Sequence, residues 1–164
     1  MNDFQIADPV VAAYVLLLNT SDVIERHAEI NLSRLGITIT RYSVLVNLYL
    51  CTRPPTLTEL SQKLFRTKNS LTTVIDHMVR DGLVRRIRDE ADRRIIRIEA
   101  TEKGRQLFET VRGPSRKLVG QIMSCYSGEE ISCLTQLLQK ARTHTFQCLA
   151  CSNEDNQPAN SLTG

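Results

Sequence analysis

The stretch from Thr56 to Gly104 reads TLTELSQKLFRTKNSLTTVIDHMVRDGLVRRIRDEADRRIIRIEATEKG, and its punctuation organises the chain on either side of it. Thr56-Leu57-Thr58-Glu59 has the spacing of a capping box, in which a hydroxyl and a carboxylate three residues apart each accept from the other residue's backbone N–H. A short helix ending near Leu64 is predicted. After a turn at Phe65-Arg66, Thr67 is placed to cap a second helix. Leu71, Val74, Ile75 and Met78 fall on one face of it, and Lys68, Asn69, Thr72, Thr73, Asp76 and Arg80 on the other. Asp81-Gly82 closes this helix, because glycine adopts the left-handed C-terminal conformation without a side-chain clash. Two β-branched, arginine-rich runs follow, Leu83 to Arg88 and Arg94 to Ala100, separated by the polar stretch Asp89-Glu90-Ala91-Asp92-Arg93. That pattern is a hairpin.

Working outward, residues 7–31 show apolar side chains near the 3.6-residue period and predict a long helix with a wide apolar face. A turn at Arg34-Leu35-Gly36 leads to Thr38 or Thr40 as the cap of a helix whose Tyr42, Leu45, Val46, Leu48 and Tyr49 make it apolar nearly all round, so it belongs inside. Pro54-Pro55 stops it. Beyond the hairpin the pattern is helical from Thr101 to about Tyr126, and Gly113-Pro114 is expected to bend that helix or split it in two. A last helix opens at Ser127 with Glu129 and Glu130 in its first turn, and the polar segment 152–164 is expected to be a disordered tail. There is no internal repeat.

Composition bounds the function. With 164 residues, 41% hydrophobic and 24% charged, the chain suits one soluble domain, alone or with an extension. Its net charge is only +3, but residues 53–105 hold 13 basic and 8 acidic side chains, so the positive field belongs to one part. No apolar run approaches the roughly 20 residues of a membrane-spanning helix. The run Val10 to Leu18 is too short and lacks the flanks of a secretory signal, so a cytoplasmic address and no membrane partner are expected. Cys51, Cys125, Cys133, Cys148 and Cys151 are odd in number and irregular in spacing, a poor disulfide framework. The lack of tryptophan and the seven glycines argue against a large β fold.

The fold class is therefore mainly α with a small β-hairpin wing, a winged helix-turn-helix with long helices before and after it. The second helix of the pair buries its aliphatic face and presents Thr67, Lys68, Asn69, Ser70, Thr72 and Thr73 from its first turns, the way a recognition helix addresses base edges in the major groove. Asparagine can pair bidentately with adenine, lysine can donate to guanine or phosphate, and the free amides of the helix start favour a phosphate. The hairpin tip, Asp92-Arg93-Arg94, places guanidinium groups on a thin protrusion able to enter a minor groove, with Asp92 able to hold one guanidinium while the other points outward. Among Arg85, Arg86, Arg88 and Arg97 on the ribbon, Arg86 and Arg88 are the candidates for the DNA backbone.

Thr56-Leu57-Thr58-Glu59-Leu60-Ser61-Gln62-Lys63-Leu64, then Leu71 to Arg86, then Asp92-Arg93-Arg94 with Thr101-Glu102-Lys103-Gly104 after the second strand, resemble the MarR family of transcriptional regulators. The resemblance runs from about Ala7 to Leu149, and its most specific part is the Asp-Arg-Arg wing followed at this distance by Thr-x-x-Gly. It implies a homodimer held by the first and last helices, a pseudo-palindromic double-stranded DNA site, and often a small effector bound between the dimer helices and the DNA-binding lobe, so a DNA-binding repressor or regulator is expected. On that reading, residues 1–35 and 102–151 form the helical dimerisation region and 36–101 the DNA-binding lobe. Phe65 stands where the family often has glycine, Glu90 where proline is common and Ala100 where leucine is common.

Other chemistry is thinner. His144, Cys148 and Cys151 fall at i, i+4 and i+7, a conceivable zinc or redox site on one helix face, but reduced thiols near a chain end account for them with less. No cofactor is expected. Tyr42 and Tyr49 can line an effector pocket, or simply pack as core. His27 and His77 are isolated, and no nucleophile–base set is present, so an enzyme is not expected. The principal rival function is a winged-helix module whose ribbon meets another protein; a second, a methyltransferase dimerisation domain, lacks a following glycine-rich nucleotide fold.

Overall fold

The computed structural model describes residues 8–154, the side chains of 150–154 excepted. Six helices and one hairpin follow in order: α1 Pro9–Ser33, α2 Ile39–Leu50, α3 Leu57–Lys63, α4 Lys68–Arg80, β1 Val84–Arg88, β2 Ile96–Ala100, α5 Glu102–Met123 and α6 Gly128–Glu154. The chain divides into two compact units, one ending at Val119 and the other beginning at Gly120. In the first, α1 to β2 and most of α5 enclose a core of Leu32, Ile37, Val44, Leu45, Leu60, Leu71, Ile75, Met78, Leu83, Val84, Ile98, Phe108 and Val111. The second holds the end of α5 and all of α6. The mainly helical winged helix-turn-helix expected from the sequence is what the backbone shows.

Most element ends follow from their caps. The Thr38 hydroxyl accepts from the Arg41 N–H at 3.4 Å, and Thr67 accepts from Ser70 at 3.3 Å. At α3 both halves of the capping box form: the Thr56 N–H donates to Glu59 Oε2 at 2.6 Å and the Glu59 N–H to Thr56 Oγ1 at 3.2 Å. A second, unanticipated capping box starts α6, where Ser127 and Glu130 exchange bonds of 2.7 and 3.2 Å. Backbone donation to its carboxylate, chiefly from Ser127, holds the Glu130 carboxyl below its ordinary pKa.

Leu60 of α3 and Leu71, Ile75 and Met78 of α4 are fully buried against Val84 and Ile98 of the hairpin. Each such side chain contributes about 1.5–3 kcal/mol on leaving water, so a few of them fix helix pair and ribbon as one body. The chain turns from α4 into β1 at Gly82, φ +72°, while the Leu83 N–H donates to the Met78 carbonyl at 2.8 Å. The strands pair antiparallel from Val84 opposite Ala100 to Arg88 opposite Ile96. An isolated antiparallel bridge, Thr56 with Arg97, and the Ile98 N–H donating to the Pro55 carbonyl at 2.8 Å, stitch β2 to the start of α3.

Of the two outcomes expected at Gly113-Pro114, a bend or a split, the split does not occur: α5 runs unbroken from Glu102 to Met123. Val111 and Leu118 on either side of it are both buried, and their packing outweighs the one ladder bond that proline removes. The second helix is not buried all round: Val44 and Leu45 are enclosed, but Tyr49 is 52% exposed, because it borders an open cleft. Finally, α6 continues through Glu154, three residues into the segment expected to be tail, while 155–164 lie outside the described residues.

Candidate nucleic-acid interface

Two exposed elements of the first unit carry the candidate contacts. Thr67, Lys68, Asn69, Ser70 and Thr73 are exposed at the start of α4, with Thr72 half-buried beside them. The Thr72 hydroxyl donates to the Lys68 carbonyl at 2.7 Å and that of Thr73 to the Asn69 carbonyl at 3.5 Å, leaving oxygen lone pairs to accept from a base edge. The turn before them is unusual. Phe65 has φ +52°, the one positive value on a non-glycine residue among those described, and is 57% exposed. The left-handed turn that glycine would make is thus made by phenylalanine, at the cost of a clash between Cβ and the following carbonyl.

The wing carries Arg88, Arg93 and Arg94 exposed to solvent. None of the three has a side-chain ion pair among the described residues, so their charge is available to a phosphate or a narrow groove. Arg86 is placed differently: its Nη2 lies 2.6 Å from Asp76 Oδ1 of α4, tying ribbon to helix across their exposed edges. Arg85 pairs across the ribbon with Glu99 at 2.7 Å.

One assignment on the ribbon changes, and Arg97, which the sequence left unassigned, is buried. Asp92 does not hold a guanidinium; its carboxylate accepts from the Arg94 N–H at 2.9 Å. The carboxylate that organises the wing is Asp89, which accepts at Oδ1 from the Ala91 and Asp92 N–H groups, both at 3.0 Å, and at Oδ2 from Arg97 Nε. Geometry explains the exchange: Asp92 sits in the tight tip within reach of the Arg94 N–H, whereas Asp89, the residue after β1, is within reach of Arg97. Arg97 in turn is no DNA-facing residue. It is 8% exposed, donates from Nη1 to the Pro54 carbonyl at 3.1 Å, and lies 3.6 Å from Glu59 Oε2. Asp89 is held below its ordinary pKa chiefly by the Arg97 hydrogen bond, and Glu59 below its own chiefly by the Thr56 N–H.

The Thr101-x-x-Gly104 signature has a structural cause. The Thr101 hydroxyl donates to the Gly82 carbonyl at 2.6 Å and accepts from the Gly104 N–H at 3.1 Å, so one side chain caps α5 and clamps it to the turn leading into β1. At Gly104 the backbones approach so closely that any side chain would collide with Leu83.

Beside the wing base a cleft of about 270 Å³ is lined by Leu45, Leu48, Tyr49 and Phe108, with polar groups from Thr52, Arg53, Glu99 and Arg105. Of the two tyrosines considered for an effector, Tyr49 lines this cleft and packs tilted on Phe108, ring centroids 4.5 Å apart, with the Arg112 guanidinium over its ring at 5.3 Å. Tyr42 is not in the lining and packs on Phe108 from another side at 6.1 Å. On α6, His144 Nε2 and Cys148 Sγ are 3.7 Å apart; no cluster of three metal-ligating side chains occurs among the described residues, and the Cys151 side chain lies outside them. No helix among the described residues is long and apolar enough to cross a membrane.

A sequence profile of the MarR family matches residues 37–96, the segment from the turn before α2 to the start of β2. The chain is similar to the uncharacterized HTH-type transcriptional regulator YkoM of Bacillus subtilis, 30% identical over 115 residues that cover 70% of this chain and 73% of that protein. To YsmB of the same organism, another uncharacterized HTH-type transcriptional regulator, it is 31% identical over 85 residues, 52% of this chain and 58% of the relative's length. The chain thus spans a little under three fifths of that relative. The fold is similar to that of a cysteine-to-serine mutant of MarR from E. coli complexed with operator DNA, with a TM-score of 0.74, 23% identity, and coverage of 84% of this chain and 98% of that one. With the capped helix pair, the wing and the Thr-x-x-Gly clamp in place, the chain belongs to the MarR family of winged helix-turn-helix, DNA-binding transcriptional regulators.

Proposed function

We propose that this chain is a homodimeric repressor that binds a pseudo-palindromic double-stranded DNA site. Each protomer lays the start of α4 in a major groove, with Lys68, Asn69, Ser70, Thr72 and Thr73 toward the bases and Thr67 capping the helix at the phosphates. The wing enters the flanking minor groove through Arg93 and Arg94, ordered by Asp92, while Arg88 and, in part, Arg86 meet the backbone. A twofold dimer sets the two recognition helices about 34 Å, one helical turn, apart. The observation that carries this reading is the pairing on one small body of an exposed polar helix start with a wing whose Arg88, Arg93 and Arg94 have no ion-pair partner among the described residues.

Self-association is supported by the apolar side chains left uncovered on α1, Val10, Tyr14, Leu16 and Val23, and on α6, Leu137 and Leu149. Residues 1–35 and 102–151 supply these contacts and 36–101 the DNA-binding lobe. The cleft beside Tyr49, with aromatic and aliphatic walls and two arginines, suits a small aromatic anion as effector. Such a ligand acts by favouring a protomer geometry in which the two lobes no longer match the groove spacing.

Enrichment of duplexes from a random pool by the purified full chain, followed by gel-shift titration at several salt concentrations, tests the reading. An enriched inverted repeat bound by a dimer, with affinity falling steeply as salt rises, is expected. A chain that enriches no duplex, or whose binding is indifferent to salt, supports the rival protein-interaction module instead.

A further inference from the structure

Arg97 is a charged side chain only 8% exposed, and the recognition of DNA described above makes no use of it. Removing a guanidinium from water carries a desolvation cost that an apolar side chain of similar length, such as methionine, avoids. What arginine supplies and methionine lacks is a rigid fork of donors able to bind several acceptors at once. Here the fork reaches three elements: the Pro54 carbonyl on the loop between α2 and α3 at 3.1 Å, Glu59 in the first turn of α3 at 3.6 Å, and Asp89 at the base of the wing tip.

From Asp89 the bonds continue into the tip. Its other oxygen accepts from the Ala91 and Asp92 N–H groups, and Asp92 accepts from the Arg94 N–H. A continuous chain of polar contacts therefore leads from the α2–α3 loop, whose Arg53 and Pro54 wall the cleft, to the backbone of Arg94. Remove the guanidinium and Asp89 keeps only its bonds to the Ala91 and Asp92 N–H groups within the tip, so the tip loses its tie to the helix pair.

We infer that Arg97 is a positioning residue for DNA binding, which holds the wing tip, and with it Arg93 and Arg94, at a set orientation to the helix pair without touching DNA. The inference rests on the function proposed above. It assigns to a buried residue of β2 the geometry that the exposed arginines need.

The test uses the full chain and a duplex enriched by the wild type from a random pool. Wild type, Arg97→Met, Arg97→Lys and Asp89→Asn are compared by circular dichroism, gel-shift titration over a salt series and hydroxyl-radical footprinting. Arg97→Met and Asp89→Asn are expected to keep protection at the half-site centres contacted by α4 and to lose it in the flanking minor grooves. Affinity falls by about tenfold, and the slope of log affinity against log salt becomes shallower by about one to two. Arg97→Lys keeps the charge but not the fork, and recovers only part of the flanking protection.

Wild-type affinity and intact flanks in folded Arg97→Met or Asp89→Asn overturn the inference. So does an equal loss of protection at centre and flanks, which marks mere support of the fold. Should Arg97→Met not fold, Asp89→Asn decides by the same readouts. A wild type that enriches no duplex overturns the proposed function and this inference together, whereas wild-type binding with unaffected variants overturns the inference alone.

Discussion

The carbonyl oxygen of Leu83 occupies the place where a side chain on residue 104 would begin: a Cβ built at Gly104 lies 2.0 Å from it. The first turn of α5 is thereby pressed against the entrance to β1, and the wing is braced from behind by the helix that leads out of the lobe. The obstacle is backbone on both sides, so neither partner can rotate away.

Gly104→Ala is accordingly expected to destabilise the fold by about 1–3 kcal/mol through overpacking. The check is a urea titration, in which the midpoint falls while the slope stays near the wild-type value. An unchanged midpoint would mean that the two backbones can separate at little cost.

Phe65→Gly removes the left-handed strain at the turn between α3 and α4, φ +52°, and is expected to be neutral to stabilising by up to about 1 kcal/mol. Glycine's larger unfolded-state entropy offsets part of the relief. A thermal melt reads the sign, and a clear fall in midpoint shows that the aromatic ring contributes more than its backbone costs.

Thr56→Ala breaks the hydroxyl half of the α3 capping box and is expected to cost about 1 kcal/mol, while Thr56→Ser costs far less. Chemical denaturation of both variants distinguishes loss of the cap from loss of the methyl group, since only the alanine removes the acceptor for the Glu59 N–H.

Acid should loosen the same corner. Asp89 and Glu59 both have carboxyl pKa values depressed in the folded state, by Arg97 and by the Thr56 N–H respectively as the leading causes. A depressed carboxylate stabilises the fold fully above its unfolded value, about 4, and that contribution is withdrawn as pH falls through the folded value. Stability should therefore decline below about pH 4, and less so in Asp89→Asn, which has already lost one titrating partner. Denaturation midpoints measured from pH 6 downward give the comparison, and identical slopes for variant and wild type contradict it.

On the DNA side, Arg94→Ala is expected to weaken binding by about 1–3 kcal/mol if the wing reads a minor groove. Lys68→Ala should weaken all sequences alike and reduce the salt slope by about 1 if Lys68 meets a phosphate. Titration of both variants against the enriched duplex and a scrambled one separates the two roles. Unchanged affinity at moderate salt removes the residue concerned from the interface.

Much of this protein is written in local spacing. Thr56 and Thr67 cap their helices where their positions say they should, Thr38 rather than Thr40 proves to be the cap of α2, Gly82 turns the chain into the hairpin, and the wing strands begin and end within two residues of the β-branched runs. Caps, turns and strand alternation depend on atoms within a few residues of one another, so sequence alone was sufficient for the winged helix-turn-helix and for the charged faces it exposes. The role of Arg97 was not legible, because its partners Asp89, Glu59 and Pro54 stand up to 43 residues away and meet only when β2 packs on the start of α3. The continuity of α5 through Pro114 was likewise decided by burial on both sides of the proline, and the exposure of Tyr49 by where its neighbours stop. Which arginine is buried against carboxylates and which stays exposed is a matter of distance in space, and only the packed chain sets that distance.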